Sequence, residues 1–283
     1  MQGPVITQRR PPDLPDVPGP QDSIESITIL GGHGKTGEPE GIERIDLRMG
    51  DVISVVGPTG SGKTTLINDL ELFADGNTPT GRRVLIDGVV PPSEYRDDPS
   101  LHPIALITQH TTFLSDMPVQ DFIRTHARIR QNEASRVQAT LDATLAFANE
   151  LTGEPIPPAS RMTELSGGQA RALLIADATI VCETPIVLLD EVENAGIHRT
   201  RALELLRAHR KIFIFVTHDP RIALLSRCRI VMRNGSMTHL LETDEQEREV
   251  SLKVNQLDDQ LARLRDKLRT GQRLTMSEVE GWS

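Results

Sequence analysis

The chain has few cysteines, no long apolar run and a shortage of positive charge, and each deficit removes a class of protein. Only Cys182 and Cys228 occur in 283 residues, which excludes a disulfide framework. Neither has a second Cys or a His nearby at metal-ligand spacing, so both read as small buried hydrophobes in a reducing compartment. No stretch approaches the roughly 18 consecutive apolar residues of a membrane span, and no transmembrane segment of its own is expected. The start, Met1-Gln2-Gly3-Pro4, lacks the basic-then-apolar layout of a secretory signal, which points to a cytoplasmic protein. With 31 Lys and Arg against 40 Asp and Glu, a net charge of -9, broad attraction to nucleic acid is disfavoured. Arg124, Arg128 and Arg130 recur at helical intervals and read as a solvated helix face.

The length suits one large domain with a substantial core. Residues 1–22 are rich in Pro with Asp and Arg and too poor in apolar residues to pack, so a disordered tail is expected there. Strand-like runs follow at 23–30 and 42–47, separated by a Gly-rich loop over 31–41, with a further strand and turn at 81–88. Helical patterns over Val119 to Arg130 and Ala134 to Glu150 fall in a segment of about 110–164.

Chemistry enters at Gly57-Pro58-Thr59-Gly60-Ser61-Gly62-Lys63-Thr64, which fits the phosphate-loop pattern G-x-x-x-x-G-K-[ST] after the apolar run Val52 to Val56. Glycines 57, 60 and 62 let the chain curl so that successive backbone N–H groups point inward as an anion nest. Lys63 adds a point charge at the outer phosphates and Thr64 offers a hydroxyl to Mg²⁺. The helix expected to start there, through Thr65, presents its positive dipole end. A second apolar run, Ile186-Val187-Leu188-Leu189, is apolar on both faces, as a central parallel strand is. It ends in Asp190, a carboxylate placed to hold Mg²⁺.

Between these halves stands Leu165-Ser166-Gly167-Gly168-Gln169. Together the three motifs make the chain resemble the nucleotide-binding subunit of an ATP-binding cassette (ABC) protein. The resemblance implies an α/β P-loop NTPase fold of ABC type: a mixed central sheet, an antiparallel β subdomain and a helical subdomain at about 110–164, within a cassette over 23–242. It implies an ATPase using ATP and Mg²⁺, with Glu191 positioning or deprotonating the attacking water. Gln109, after Ile104 to Thr108, is implied to touch Mg²⁺ and that water, and His218, in a Thr-His-Asp-Pro context, to donate to the γ-phosphate. Two cassettes meet head to tail in the family, where Ser166, Gly167, Gly168 and a helix starting near Gln169 close over the γ-phosphate held by the other subunit. No internal repeat is visible, so a second cassette, as in a homodimer, is the expected partner.

The sequence departs from that family in three places. Residues 1–56 contain no Phe, Tyr or Trp, so the aromatic that stacks on adenine is missing. Such stacking is worth about 1–3 kcal/mol, and His33 or an arginine is left to substitute for it. Ile197 stands where the family commonly has aspartate, and Ala172 and Asp177 stand where arginines are usual. The expected client is a membrane permease, which would hold the chain peripherally at the inner face of the membrane. The alternative is a soluble ABC ATPase that remodels or activates a protein complex, favoured by these substitutions and by the C-terminal segment.

That segment, 243–283, follows the strand Arg229 to Arg233 and an Asn234-Gly235 turn. Val250, Val254, Leu257, Leu261, Leu264 and Leu268 alternate steps of four and three, a heptad seam with charges interleaved around it. A helix folded back on its own cassette and pairing with another chain are both consistent with that pattern.

Overall fold

A computed structural model of the protein describes residues 24–130, 135–152, 154–190 and 205–279. The Pro-rich tail, Glu191 and Ile197 lie outside these. In chain order the elements are β1 (Ser26–Leu30), β2 (Arg44–Arg48), β3 (Val52–Val56), α1 (Lys63–Glu71), β4 (Arg83–Ile86), a single turn α2 (Glu94–Asp97) and β5 (Ile104–Ile107). Then come α3 (Val119–Arg130), α4 (Val137–Leu151), α5 (Gly167–Ala176), β6 (Ile186–Asp190), β7 (Ile212–Val216), α6 (Pro220–Leu225), β8 (Cys228–Arg233), β9 (Ser236–Glu242) and α7 (Glu245–Arg269).

The strands form two sheets. A six-stranded sheet runs in the order β5-β6-β7-β3-β8-β9, parallel except for β9, and a three-stranded antiparallel sheet runs β2-β1-β4. The expected mixed sheet and antiparallel sheet are both present. β9 was not anticipated: it returns against β8 through the Asn234-Gly235 turn, where both residues have positive φ as a tight hairpin requires.

Alternation along the central strands sorts their side chains into two cores. Val52, Val187, Leu189, Phe213 and Phe215 face the layer built by α3, α4 and α5. Ile53, Val55, Ile186, Leu188, Ile212 and Ile214 face α1 and the antiparallel sheet. A strand buried on both faces must be apolar at every position, which is why β6 and β7 read as unbroken runs. Burying each such side chain contributes about 1.5–3 kcal/mol, so the sheet that carries the site is also the most stable part of the fold.

At the end of α5 the helix widens into a π-helical turn over Asp177–Val181, with the Cys182 N–H donating to the Asp177 carbonyl at 2.9 Å. The turn packs into the α3–α5 layer, where Asp177 accepts a 2.8 Å hydrogen bond from His126 Nδ1. That hydrogen bond, with a second from His126 Nε2 to Cys182 Sγ, raises the His126 pKa to about 10. Asp177, which stands where the family usually has arginine, is therefore half of a buried-edge pair.

α7 folds back on its own chain against α6, joined by ion pairs from Arg221 to Asp258 and from Arg229 to Glu247. It docks by a polar face carrying the buried Ser251, while seam residues Val250, Leu257, Leu261 and Leu268 remain exposed. The other two seam residues, Val254 and Leu264, are half-buried, so the heptad pattern lies mostly, not wholly, on the outer face of the helix.

Candidate functional site

The register of the parallel strands gathers the candidate residues at one edge of the sheet. Ile107 lies opposite Leu189, Leu189 opposite Phe215, Asp190 opposite Val216, and Val216 opposite Val55. Asp190 closes this row, and Gln109, His218 and Gly57 lie just beyond it. Carboxyl ends of parallel strands are where ligands collect in open α/β sheets.

Between β3 and α1 the chain curls through the phosphate loop. Gly57 has φ 151°, and a Cβ there would stand 2.4 Å from the Met232 carbonyl and 2.8 Å from Ser61 Oγ. Gly62 has φ 100°, and a Cβ there would stand 2.8 Å from Gly235 Cα. Only glycine fits either position, because the β8–β9 turn presses against the loop from below. The Gly235 N–H clasps that contact by donating to the Ser61 carbonyl at 2.7 Å.

Lys63 opens α1, one residue earlier than expected, and its Nζ donates to the carbonyls of Gly57 (2.9 Å) and Pro58 (3.2 Å). The cation is thus held over the curl. Ser61 Oγ is buried and has no hydrogen-bond partner among the described residues, a cost that a bound polar group would relieve.

A depression of about 320 Å³ opens on this loop, walled by Thr59, Gly60, Gly62, Lys63, Thr64, Thr65, Asp190, Val216 and Lys35. Two cations, three hydroxyls, backbone N–H groups at a helix N-terminus and one carboxylate fit a polyphosphate with its divalent counter-ion. Gln109 and His218 stand at the same sheet edge, both exposed, but outside that wall. Arg171 of α5 donates to the Gln109 carbonyl at 2.9 Å, which fixes the turn bearing it.

Lys35 was not anticipated. It lies on the Gly-rich loop 31–41, and its Nζ donates to the Gly60 carbonyl at 2.8 Å. His33 is turned away: its Nδ1 lies 2.9 Å from where a Cβ on Gly81 would stand. Neither His33 nor an arginine lines the depression among the described residues. The only signal for Lys35 in the sequence was a lone cation in a Gly-rich loop ahead of β3.

Ser166, Gly167, Gly168 and Gln169 contribute nothing to the wall of the same chain's depression. α5 begins at Gly167, two residues before the expected start, because Ser166 is its N-cap. Ser166 Oγ accepts the Gln169 N–H at 3.3 Å, while Gln169 Oε1 accepts the Ser166 N–H at 3.0 Å. This capping box leaves Ser166 and Gly167 exposed at a positive helix end.

The cysteines divide. Cys228 is buried, which pushes its thiol pKa up, as expected of a small hydrophobe. Cys182 is half-buried beside His126 and Asp177, so the absence of metal-type neighbours in the sequence is corrected in space. Those partners come from other turns of chain, which sequence spacing does not report.

Fold and depression together define a P-loop nucleotide-binding protein. Comparison narrows this: the family model for ABC transporters matches residues 43–194. An ABC transporter ATP-binding protein of Methanocaldococcus jannaschii is 47% identical over 90% of this chain and 97% of its own length. The chain belongs to the ATP-binding cassette family and is an ABC-type ATPase. An ATP-dependent lipid A-core flippase of Paraburkholderia xenovorans is 32% identical over 72% of this chain, which spans 35% of that longer protein. Solved folds agree. CbiO1 of Clostridium perfringens, part of an ABC transporter complex, has TM-score 0.62 at 19% identity, covering 87% of this chain and all of that one. A dimeric cassette bound to ADP and Pi has TM-score 0.58 at 20% identity, covering 77% of this chain and 99% of that one.

Proposed function

We propose that this chain binds Mg-ATP in the depression at the phosphate loop and hydrolyses it in a head-to-tail pair of cassettes, as the ATP-binding subunit of a membrane transporter. The observation that carries the reading is the joining of Lys63, Thr64 and Asp190 in one wall. Lys63 and the loop N–H groups bind the phosphates. Mg²⁺ would be held by Thr64 and Asp190, with Gln109 beside them, and would supply neutralisation of the outer phosphate charge. Glu191 orients the water and accepts its proton, and His218 hydrogen-bonds the terminal phosphate.

The exposed α5 N-terminus at Ser166 and Gly167, absent from its own chain's depression, supports a second cassette supplying this group in trans. No helix among the described residues is long and apolar enough to cross a membrane; in this reading a permease supplies the membrane-spanning helices. The name of the Methanocaldococcus relative supports that partner.

Lys63→Ala removes the charge nearest the outer phosphates and leaves the glycines. Calorimetry is expected to show severe loss of Mg-ATP affinity in a folded variant; unchanged affinity refutes the site. Glu191→Gln is expected to retain ATP, stall turnover and stabilise a dimer by mass action, and wild-type hydrolysis would remove Glu191 from the mechanism. Recovery of the native protein with a soluble enzyme and no membrane protein would replace the transporter by the remodelling ATPase.

A further inference from the structure

Away from the nucleotide depression, three side chains of metal-ligating type converge where α3 meets the end of α5. His126 comes from α3; Asp177 and Cys182 begin and follow the π-helical turn. Residues five apart in an α-helix are rotated by about 140° and diverge. The π turn removes that divergence, because its backbone bond stacks residue 182 over residue 177. Cys182 Sγ therefore lies 3.7 Å from Asp177 Oδ2 and 3.8 Å from His126 Nε2. The His126 ring is also seated against Phe122, with centroids 5.8 Å apart. His126 and Cys182 are half-buried and Asp177 is buried, and each offers a ligating atom within 4.8 Å of the others.

We propose that His126, Asp177 and Cys182 form a binding site for a thiophilic divalent cation of the zinc class, distinct from the Mg²⁺ that accompanies ATP. Sulfur, imidazole nitrogen and carboxylate oxygen are the donors that zinc takes, whereas Mg²⁺ demands oxygen. Around a tetrahedral zinc with bonds of 2.0–2.3 Å, adjacent ligand atoms stand about 3.5 Å apart. The two separations at Cys182 exceed that by only a few tenths of an ångström, so closure needs small side-chain adjustments. Ligation takes thiolate and neutral imidazole, so binding releases the Cys182 thiol proton and one proton of His126 to solvent, and leaves a fourth position for water or an outside ligand. Bound metal ties α3 to the far end of the helix whose N-terminus presents Ser166 and Gly167, stiffening that helix from behind.

Cobalt titration of the full chain, reduced and freed of metal, tests the site, because a cobalt–thiolate bond gives near-ultraviolet charge-transfer absorption that cobalt at the phosphate loop lacks. One equivalent is expected to produce the band, and Zn²⁺ to displace it. Cys182→Ser should abolish the band, Cys228→Ser should keep it, and His126→Ala should weaken cobalt binding at least tenfold. The His126 variant retains both thiols and gives an independent reading where the Cys182 variant fails to fold. Absence of the band in the wild type, or its persistence at full strength in Cys182→Ser or His126→Ala, overturns the proposal.

Discussion

Arg82 and Glu40, both fully buried, are joined by hydrogen bonds of 2.6 and 3.0 Å. Arg82 also bonds Asp69 of α1 (3.0 Å) and the Gly235 carbonyl (2.8 Å), while Glu40 accepts from the N–H groups of Gly32 and Met237. Burial opposes the charge on Arg82, yet Glu40 and then Asp69 raise its pKa above the ordinary value. The cluster binds the loop that carries Lys35 to the turn beneath Gly62, so it braces the phosphate loop from behind. Arg82→Met strands two buried carboxylates and is expected to cost about 3–5 kcal/mol in urea unfolding. Affinity for Mg-ATP should fall as well, although Arg82 touches no phosphate position. A stability loss below about 1 kcal/mol would show the cluster to be dispensable.

Lys35 shares the depression with Lys63 but reaches it from a different loop. Hydrogen bonds to charged groups contribute about 1.5–3 kcal/mol, and part of that is already used on the Gly60 carbonyl. Lys35→Ala is therefore expected to weaken Mg-ATP binding by roughly tenfold, less than Lys63→Ala, with unfolding unchanged. Equal affinities for variant and wild type would confine Lys35 to holding Gly60.

The phosphate loop and Asp190 were legible because their chemistry is local: the glycines, the lysine and the strand before them are contiguous in the chain. Lys35 was not, since its place depends on Glu40 and Arg82, forty-two positions apart. The surroundings of Cys182 were hidden for the same reason, its neighbour His126 lying fifty-six positions away. β9 escaped notice because an edge strand such as Ser236-Met237-Thr238-His239 needs apolar residues on one face only. For α7 the helical periodicity was right, but only Val254 and Leu264 of its seam are half-buried; the ion pairs to Arg221 and Arg229, invisible to an apolar pattern, also join it to the cassette.

His209 packs edge-on against Phe147, ring centroids 4.9 Å apart. Burial, with Lys211 adding like charge, lowers its pKa below the ordinary 6.5. The unfolded chain therefore takes up this proton first on acidification. Its contribution to stability is complete above about pH 6.5 and is lost as pH falls through the folded value. His209→Gln should shrink the difference in unfolding free energy between pH 7.5 and 5.5. An undiminished difference assigns the acid sensitivity to other groups.

On the inner face of α7, Ser251 Oγ and Asn255 Oδ1 are buried without hydrogen-bond partners among the described residues. On the outer face Leu257 is 45% and Leu268 59% exposed. An unsatisfied buried hydroxyl costs about 1–3 kcal/mol, and replacing it with a methyl group relieves that cost without opening a cavity. Ser251→Ala is thus expected to stabilise the protein, by up to about 1 kcal/mol, and to slow proteolysis of α7. Leu257→Lys, on the outer face, should change stability by no more than about 0.5 kcal/mol. If α7 instead docked by its leucine seam, the ranking would invert: Leu257→Lys would release the helix to protease while Ser251→Ala did nothing. The paired measurement of urea unfolding and cleavage rate therefore decides which face of the helix holds the cassette, independently of nucleotide, since no residue of the phosphate depression lies on α7.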